Sequence, residues 1–164
     1  MPQPTKSVLF VCLGNICRSP TAEGVFRELV AEQGMAQQLE IDSAGTSNWH
    51  IGKAPDSRAI AEAASRGIDI AGFKGRLANE FDMDFYDYVI AMDVHNHYDL
   101  QQLAGRENAH KVTLFLDYAA GIELTDVPDP YYGGEDGFSQ VYGLIEQASA
   151  GLLDEIKASL RSNK

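Results

Sequence analysis

The residues with the clearest chemical potential lie in one short stretch near the N-terminus, CLGNICRSP at residues 12–20. Cys12 and Arg18 stand at the two ends of a tight connection between an apolar run and a segment with a helical pattern. Gly14 and Asn15 tolerate left-handed backbone, so the chain can curl until several N–H groups point inward. Arg18 adds a planar fork of donors that matches two oxygens of a phosphate. The residues expected to surround the bound oxyanion are Leu13, Gly14, Asn15, Ile16, Cys17 and Ser19.

The same surroundings would act on the sulfur of Cys12. Thiols near a helix N-terminus and an arginine have pKa values lowered from about 8.5 to roughly 3.5–7.5. An ionised sulfur beneath a bound tetrahedral oxyanion is a nucleophile whose target is already positioned. Ser19 has two open roles here, because its hydroxyl can cap the following helix or donate a hydrogen bond to the sulfur as the sulfur departs.

Other chemistries that use a glycine-containing loop or paired cysteines fit the sequence less well. The nucleotide-binding signature GxxxxGK[ST] is absent, and no lysine follows the loop. The spacing of Cys12 and Cys17 matches neither a redox Cys-x-x-Cys pair nor a common zinc pattern. The four histidines are scattered, so we expect no metal site and no cofactor. They are His50, His95, His97 and His110.

Length and composition restrict the class of protein further. The 164 residues, 45% of them hydrophobic, are expected to form one domain over residues 1–164. A net charge of −11 argues against a nucleic-acid partner, since phosphate backbones bind basic surfaces. No apolar run approaches the roughly 18 residues needed to span a membrane. Two cysteines cannot build a disulfide scaffold, which predicts a reduced, cytoplasmic protein, and the oligomeric state is left open between a monomer and a weak dimer.

Strand and helix patterns alternate along the chain, which predicts a single-domain α/β fold. The four predicted strands cover residues 7–11, 39–43, 86–92 and 111–116. The predicted helices run from Pro20 to about residue 31 with Ser19 as N-cap, and over residues 56–66, 94–103 and 138–160. This order gives a doubly wound, four-stranded parallel sheet with helices on both faces. Ligands of such folds bind at the carboxyl ends of the strands, where Cys12 lies.

CLGNICRSP resembles the active-site loop of the low-molecular-weight protein tyrosine phosphatases. Two further stretches are similar to family markers, DPYY at residues 129–132 and DSAGT at residues 42–46, and the resemblance extends to the strand end at residues 88–93. It implies hydrolysis of phosphotyrosine and small aryl phosphates through a cysteinyl-phosphate intermediate, on the family's phosphatase fold and without a metal or cofactor.

Expelling an aryl oxygen requires a proton donor, and a positioned carboxylic acid contributes about 10²–10⁴-fold. Asp129 is a candidate because the prolines on either side restrict its backbone. The resemblance implies that Asp129 protonates the leaving oxygen and then activates water. Tyr131 and Tyr132 are expected to form one wall of a slot for the aryl ring. Trp49 is either the opposite wall or a core residue.

The resemblance also implies residues that support the loop. Asn15 would hold the strained backbone together with Ser43 and Ser19. Many family members place a histidine near the position of Phe73, so part of this support is expected to differ here. Cys17 is either a packing residue or, as the resemblance implies, a thiol that traps oxidised Cys12 as a disulfide.

Two rival functions remain open at this point. An arsenate reductase on the same scaffold would need an external thiol, since Cys12 and Cys17 are the only cysteines. A phospho-ligand binding module without catalysis would not need the intact set of Cys12, Arg18 and Asp129. The sequence does not name the physiological substrate, which is expected to be a phosphotyrosine protein or a small aryl phosphate.

Overall fold

The computed structural model describes residues 6–130 and 136–162, and its centre is a parallel four-stranded sheet. All neighbouring strands are parallel, and their spatial order is β2-β1-β3-β4. This confirms the predicted α/β class. The strands are β1 Lys6–Cys12, β2 Leu39–Gly45, β3 Tyr88–Ala91 and β4 Val112–Leu114.

Five α-helices and two 3₁₀ helices connect and follow these strands within the described residues. None of the described helices is both long enough and apolar enough to cross a membrane. The α-helices are α1 Arg18–Glu32, α2 Ser57–Ser65, α3 Glu80–Phe85, α4 Val94–Asn108 and α5 Gly137–Ser162. The 3₁₀ helices are Ala109–Lys111 and Phe115–Tyr118.

Side chains along a strand point alternately to its two faces, and almost all those of β1 are buried. Strand β1 is therefore covered on both faces. Phe10 and Cys12 belong to an apolar cluster that includes residues of α1, α2 and α5. Leu9 and Val11 belong to a second cluster, which includes Met83 of α3 and residues of α4. The two helical layers predicted for a doubly wound fold are therefore present, one on each side of the sheet.

The start of α1 differs from the prediction. The helix begins at Arg18, two residues before the predicted Pro20, and Cys17 occupies the N-cap position without a side-chain cap bond. Ser19 lies inside the helix, so its predicted role as N-cap is wrong. Pro20 is tolerated as the third helical residue because the first four N–H groups of a helix have no intrahelical partner.

Smaller corrections concern α3 and the edges of the sheet. The short helix α3 was not predicted, and it begins with a capping box between Asn79 and Asp82. Strand β3 is shorter than predicted at both ends, and β4 ends at Leu114 because the residues after it form a 3₁₀ helix. Helix α4 continues to Asn108, but Gly105 has a φ of 70° and interrupts the helical backbone where the sequence predicted an end.

The chain moves from β1 to one side of the sheet for β2 and to the other side for β3. Such a reversal opens a crevice above the carboxyl ends of the two central strands. Cys12 is the last residue of β1, and Asp93 follows β3 within two residues. The crevice is therefore the place where the loop predicted to bind an anion meets the connection after β3.

Candidate active site

The loop after β1 turns its carbonyl groups outward. The carbonyls of Cys12 and Leu13 accept hydrogen bonds from the N–H groups of Thr46 and Ser47, both at 2.9 Å. The Ile16 carbonyl accepts a hydrogen bond at 2.8 Å from the N–H of Asp56, the N-cap residue of α2. The amides of residues 13–17 donate no hydrogen bond to any part of the chain within 6–130 and 136–162. These N–H groups are therefore available to a bound anion.

The backbone of the loop is strained at one residue. Asn15 has a φ of 57°, the left-handed conformation that asparagine tolerates better than most residues. Gly14, which tolerates the same conformation, does not have a positive φ. A Cβ atom at Gly14 would lie 2.9 Å from Cδ2 of His50, so a larger residue there would displace that side chain.

Three hydrogen bonds hold the buried Asn15 side chain. Its amide nitrogen donates to Ser19 Oγ at 2.8 Å and to Ser43 Oγ at 3.1 Å. Its amide oxygen accepts from the main-chain N–H of Arg76 at 3.0 Å. The predicted association of Asn15 with Ser43 and Ser19 is present. Phe73 packs against the apolar cluster beside α1, and the N–H that contacts the Asn15 amide oxygen is that of Arg76.

The network continues to a buried acid that the sequence analysis missed. Ser43 Oγ donates to Glu23 Oε1 at 2.7 Å, and Arg27 Nε donates to Glu23 Oε2 at 2.8 Å. Burial raises the pKa of Glu23, while the hydrogen bonds from Ser43 and Arg27 act in the opposite direction. The available signal was the position of Glu23 in the first turns of α1, one turn after Ser19.

Ser19 Oγ lies 3.0 Å from Cys12 Sγ. Because Asn15 donates to this oxygen, the Ser19 hydroxyl proton remains for the sulfur or for the Ala44 carbonyl at 3.3 Å. Of the two roles left open by the sequence, the geometry favours the hydrogen bond to the sulfur.

Arg18 is buried, and its guanidinium is held by the connection after β3. Nη1 donates to Asp93 Oδ2 at 2.7 Å and to the Val127 carbonyl at 3.0 Å, and Nη2 lies 3.8 Å from Asp129 Oδ2. Burial acts to lower the pKa of Arg18, but the charges of Cys12, Asp93 and Asp129 outweigh it and raise the pKa. Asp93 was not among the predicted site residues, although its position at the carboxyl end of a central strand was the signal.

The segment leading to Asp129 is attached to the same edge of the sheet. The Val127 N–H donates to the Met92 carbonyl at 2.8 Å, and Asp126 Oδ1 accepts from the N–H of Val94 at 3.0 Å. These bonds bring the Asp129 carboxylate, about one third exposed, to the rim of the crevice.

The crevice is an open cleft of about 510 Å³, a volume that includes space open to solvent. Trp49 is 65% exposed at its rim, so the alternative of Trp49 as a core residue is wrong. His50, which the sequence analysis assigned no role, also lines it. Tyr131 and Tyr132 lie outside the described residues. The lining residues are Cys12, Leu13, Gly14, Ile16, Cys17, Arg18, Trp49, His50 and Asp129.

Cys17 lines the same cleft and is buried. Both cysteines are free thiols. Burial raises the pKa of Cys17 well above its usual range, and the nearby charges of Asp56, Cys12 and Asp129 add to the effect. Cys17 is therefore a neutral thiol at neutral pH, and its redox pairing with Cys12 stays a prediction.

Comparison with known proteins gives consistent matches over nearly the whole chain. The sequence model described as low molecular weight phosphotyrosine protein phosphatase matches residues 7–162. The low molecular weight protein-tyrosine-phosphatase YfkJ of Bacillus subtilis (strain 168) is 44% identical over 151 residues, covering 92% of this chain and 96% of that protein. The low molecular weight phosphotyrosine protein phosphatase of Sus scrofa is 40% identical over 157 residues, covering 94% and 98%. The crystal structure of YfkJ superposes with a TM-score of 0.91 at 42% identity, covering 97% of this chain and 99% of that one.

Proposed function

The chain belongs to the low molecular weight phosphotyrosine protein phosphatase family, and on that premise we propose that it hydrolyses phosphotyrosine in proteins, and small aryl phosphates, through a cysteinyl-phosphate intermediate. One observation carries this proposal. A single cleft is lined by Cys12, by loop residues whose amides donate no hydrogen bond within the described chain, by the buried Arg18 and by Asp129.

In the first step the Cys12 thiolate attacks phosphorus, and a sulfur–phosphorus bond forms as the bond to the aryl oxygen breaks. Asp129, as the carboxylic acid, gives its proton to the leaving oxygen. The loop amides and Arg18 stabilise the equatorial oxygens of the transition state. Preorganised donors of this kind supply the largest single part of many enzymatic rate enhancements.

In the second step water attacks the phosphocysteine. The Asp129 carboxylate takes a proton from the water, the sulfur–phosphorus bond breaks, and Cys12 leaves as thiolate while phosphate is released. Ser19 Oγ, 3.0 Å from the sulfur, donates a hydrogen bond that stabilises the departing thiolate.

The proposed selectivity for aryl phosphates depends on the rim of the cleft. Trp49 offers an exposed flat surface beside the loop, and Leu13 is 37% exposed next to it. A phenyl ring stacks favourably on such a surface, whereas a phosphoserine side chain is too short to reach it from the same phosphate position.

The proposal is tested with two substrates that differ in leaving group. We expect Cys12→Ser to abolish turnover of both phenyl phosphate, a poor leaving group, and p-nitrophenyl phosphate, a good one. We expect Asp129→Ala to slow phenyl phosphate by roughly 10²–10⁴-fold, and p-nitrophenyl phosphate far less, because a good leaving group needs little protonation. The measurement is kcat for each substrate.

The matched control is Asp99→Ala, which removes an exposed carboxylate from α4 outside the cleft, and its kcat values should equal those of the unaltered protein. Turnover by Cys12→Ser would contradict the proposed nucleophile. Equal slowing of both substrates by Asp129→Ala would remove Asp129 from the role of acid.

The proposed chemistry also bears on the cellular compartment. Cys12 must be a free thiol for each turnover, and both cysteines are free in the structure. Thiols persist in reducing compartments, so we propose that the protein works in the cytoplasm.

A further inference from the structure

We propose that Arg76 is a positioning residue for the reaction, whose side chain fixes the peptide group that holds Asn15 in its strained conformation. This inference rests on the proposed function. It concerns a residue outside the cleft whose main-chain N–H donates a hydrogen bond to the phosphate loop.

The strain at Asn15 must be offset by its surroundings. A left-handed non-glycine residue costs of order 1–3 kcal/mol and persists only where its neighbours determine it. The amide nitrogen of Asn15 donates to the hydroxyl oxygens of Ser19 and Ser43, both of which are buried. The amide oxygen has one described partner, the Arg76 N–H. The orientation of the Asn15 side chain therefore depends on the peptide of Arg76 as well as on these two hydroxyl groups.

The backbone around Arg76 has little regular structure of its own. Residues 66–79 contain no helix or strand apart from one isolated bridge between Gly45 and Leu77. The Gly45 N–H donates to the Arg76 carbonyl at 2.8 Å, and the Ala78 N–H donates to the Gly45 carbonyl at 2.9 Å. These bonds attach the carbonyl side of Arg76 to the end of β2. The peptide unit that carries the N–H facing Asn15 is attached elsewhere, since its carbonyl, that of Gly75, accepts from the Gly52 N–H at 2.8 Å.

The Arg76 side chain adds a restraint from two further elements, β2 and α3. Its Nε donates to Asp42 of β2 at 3.0 Å. Its two terminal nitrogens donate to both carboxylate oxygens of Asp82 in α3, at 3.0 and 3.1 Å. Asp82 is buried and is itself fixed by the capping box with Asn79. The bidentate geometry restrains direction as well as distance.

The charges support the same arrangement. Burial acts to lower the pKa of Arg76, but its bond to Asp82 and the charges of Asp42 and Asp82 outweigh it, so the pKa is raised. The side chain is 32% exposed, so solvent screening limits the energy of the ion pairs themselves. The contribution of Arg76 is therefore to the geometry of the segment rather than to the stability of the fold.

The test measures binding of inorganic phosphate by calorimetry together with kcat/KM for p-nitrophenyl phosphate. Arg76→Met keeps the apolar stem and removes both carboxylate contacts. We expect phosphate binding weakened about 10-fold and kcat/KM lowered roughly 10²-fold, the effect of an ångström-scale displacement of a catalytic loop.

Arg66→Met is the matched control. Arg66 is 37% exposed and also pairs with two carboxylates, those of Glu62 and Glu146, but it lies outside the cleft, over Tyr142. Its phosphate binding and kcat/KM should stay within about twofold of the unaltered protein, since surface ion pairs contribute little. If both variants lose phosphate affinity equally at similar thermal stability, Arg76 is only a structural ion pair and the inference is overturned.

A double-mutant cycle separates positioning from general destabilisation. Asn15→Gly removes the amide oxygen that Arg76 acts on, so Arg76→Met should add less than about a twofold further loss of phosphate affinity in that background. An equal loss in both backgrounds would overturn the inference. Should Arg76→Met fail to fold, Asp42→Asn removes only the charge facing Nε, and a smaller loss in the same direction is expected. Unchanged phosphate affinity in that variant would overturn the inference too.

The two proposals fail in distinguishable ways. Absence of phosphate binding in the unaltered protein would overturn the proposed function and this inference together. Normal phosphate binding and turnover in the unaltered protein, with no loss in Arg76→Met, would overturn this inference alone.

Discussion

Two charged side chains beside the loop, Arg18 and Glu23, are almost fully buried, at 3% and 4% exposure. Removing a charge from water is costly unless partners compensate it. Arg18 is compensated by Asp93, and its pKa is raised. Glu23 is compensated less completely by Ser43 and Arg27, so burial dominates and its pKa is raised as well. For an acid this means that folding favours the neutral form.

This difference predicts how stability depends on pH. Because the pKa of Glu23 is raised in the folded state, its contribution to stability is fully present below the unfolded pKa of about 4.3. That contribution is lost as pH rises through the folded-state pKa. The unfolding free energy of Glu23→Gln, relative to the unaltered protein, should therefore increase as pH rises above that range. Denaturant titrations at a series of pH values measure this difference.

Asp56 provides a contrast of opposite sign. Its bonds to Arg58 lower the pKa of Asp56, so its stabilising contribution is present above the unfolded pKa and is lost as pH falls through the folded value. The unfolding free energy of Asp56→Asn, relative to the unaltered protein, should decrease as pH rises. Parallel curves for Glu23→Gln and Asp56→Asn would contradict the assignment.

At the level of elements, the loop depends on how closely β2 approaches it. Gly45 ends β2 opposite Cys12, and a Cβ atom there would lie 2.8 Å from the Leu13 carbonyl oxygen and 3.2 Å from the Asn15 N–H nitrogen. Both are main-chain atoms of the loop, so they cannot move aside as a side chain would. The end of β2 therefore acts as a fixed surface against which the loop is shaped.

We expect Gly45→Ala to displace the loop, with a loss of phosphate affinity and of about 1–3 kcal/mol in unfolding free energy, the usual cost of overpacking. Calorimetry with phosphate and denaturant unfolding measure the two effects. Gly143→Ala is the control, because a Cβ atom there meets nothing within 4 Å inside α5. It should add up to about 1 kcal/mol of helix stability and leave phosphate binding unchanged. Normal phosphate binding by Gly45→Ala would show that the loop tolerates the added methyl group.

At the level of the whole molecule, β1 belongs to both apolar layers and carries the loop at its end. Phe10 is fully buried, with ring centroids 5.5 Å from Phe26 of α1 and 5.2 Å from Phe115 after β4. One side chain thus joins the central strand to the helix that follows the loop and to the opposite edge of the sheet. Because both layers share β1, we propose that the chain acts as one domain.

We expect Phe10→Ala to lower the unfolding free energy by about 3–5 kcal/mol, as removal of a buried aromatic ring leaves a cavity. Phe81→Ala is the matched control, since Phe81 of α3 is 81% exposed, and its effect should be within about 0.5 kcal/mol. Denaturant unfolding with an unchanged slope measures both. Similar losses in the two variants would mean that Phe10 does not anchor the core.

The sequence alone determined the features that depend on neighbours along the chain. Alternating strand and helix patterns predicted the parallel sheet, and the spacing of Cys12 and Arg18 predicted a loop open to an anion. Asn15 was predicted to accept left-handed backbone, and it has that conformation. These features follow from local propensity and from the short reach of a nine-residue stretch.

Only the tertiary structure decided which distant groups complete the loop. Asp93 contacts Arg18, Glu23 contacts Ser43, and the Arg76 peptide contacts Asn15. These contacts form because the parallel strands β1, β2 and β3 have their carboxyl ends at the same edge of the sheet. The exact start of α1 was also a tertiary matter, since Ser19 turns its hydroxyl to Cys12 instead of capping the helix. Contacts of this kind depend on strand order and register, which residue patterns specify only once the whole chain has packed.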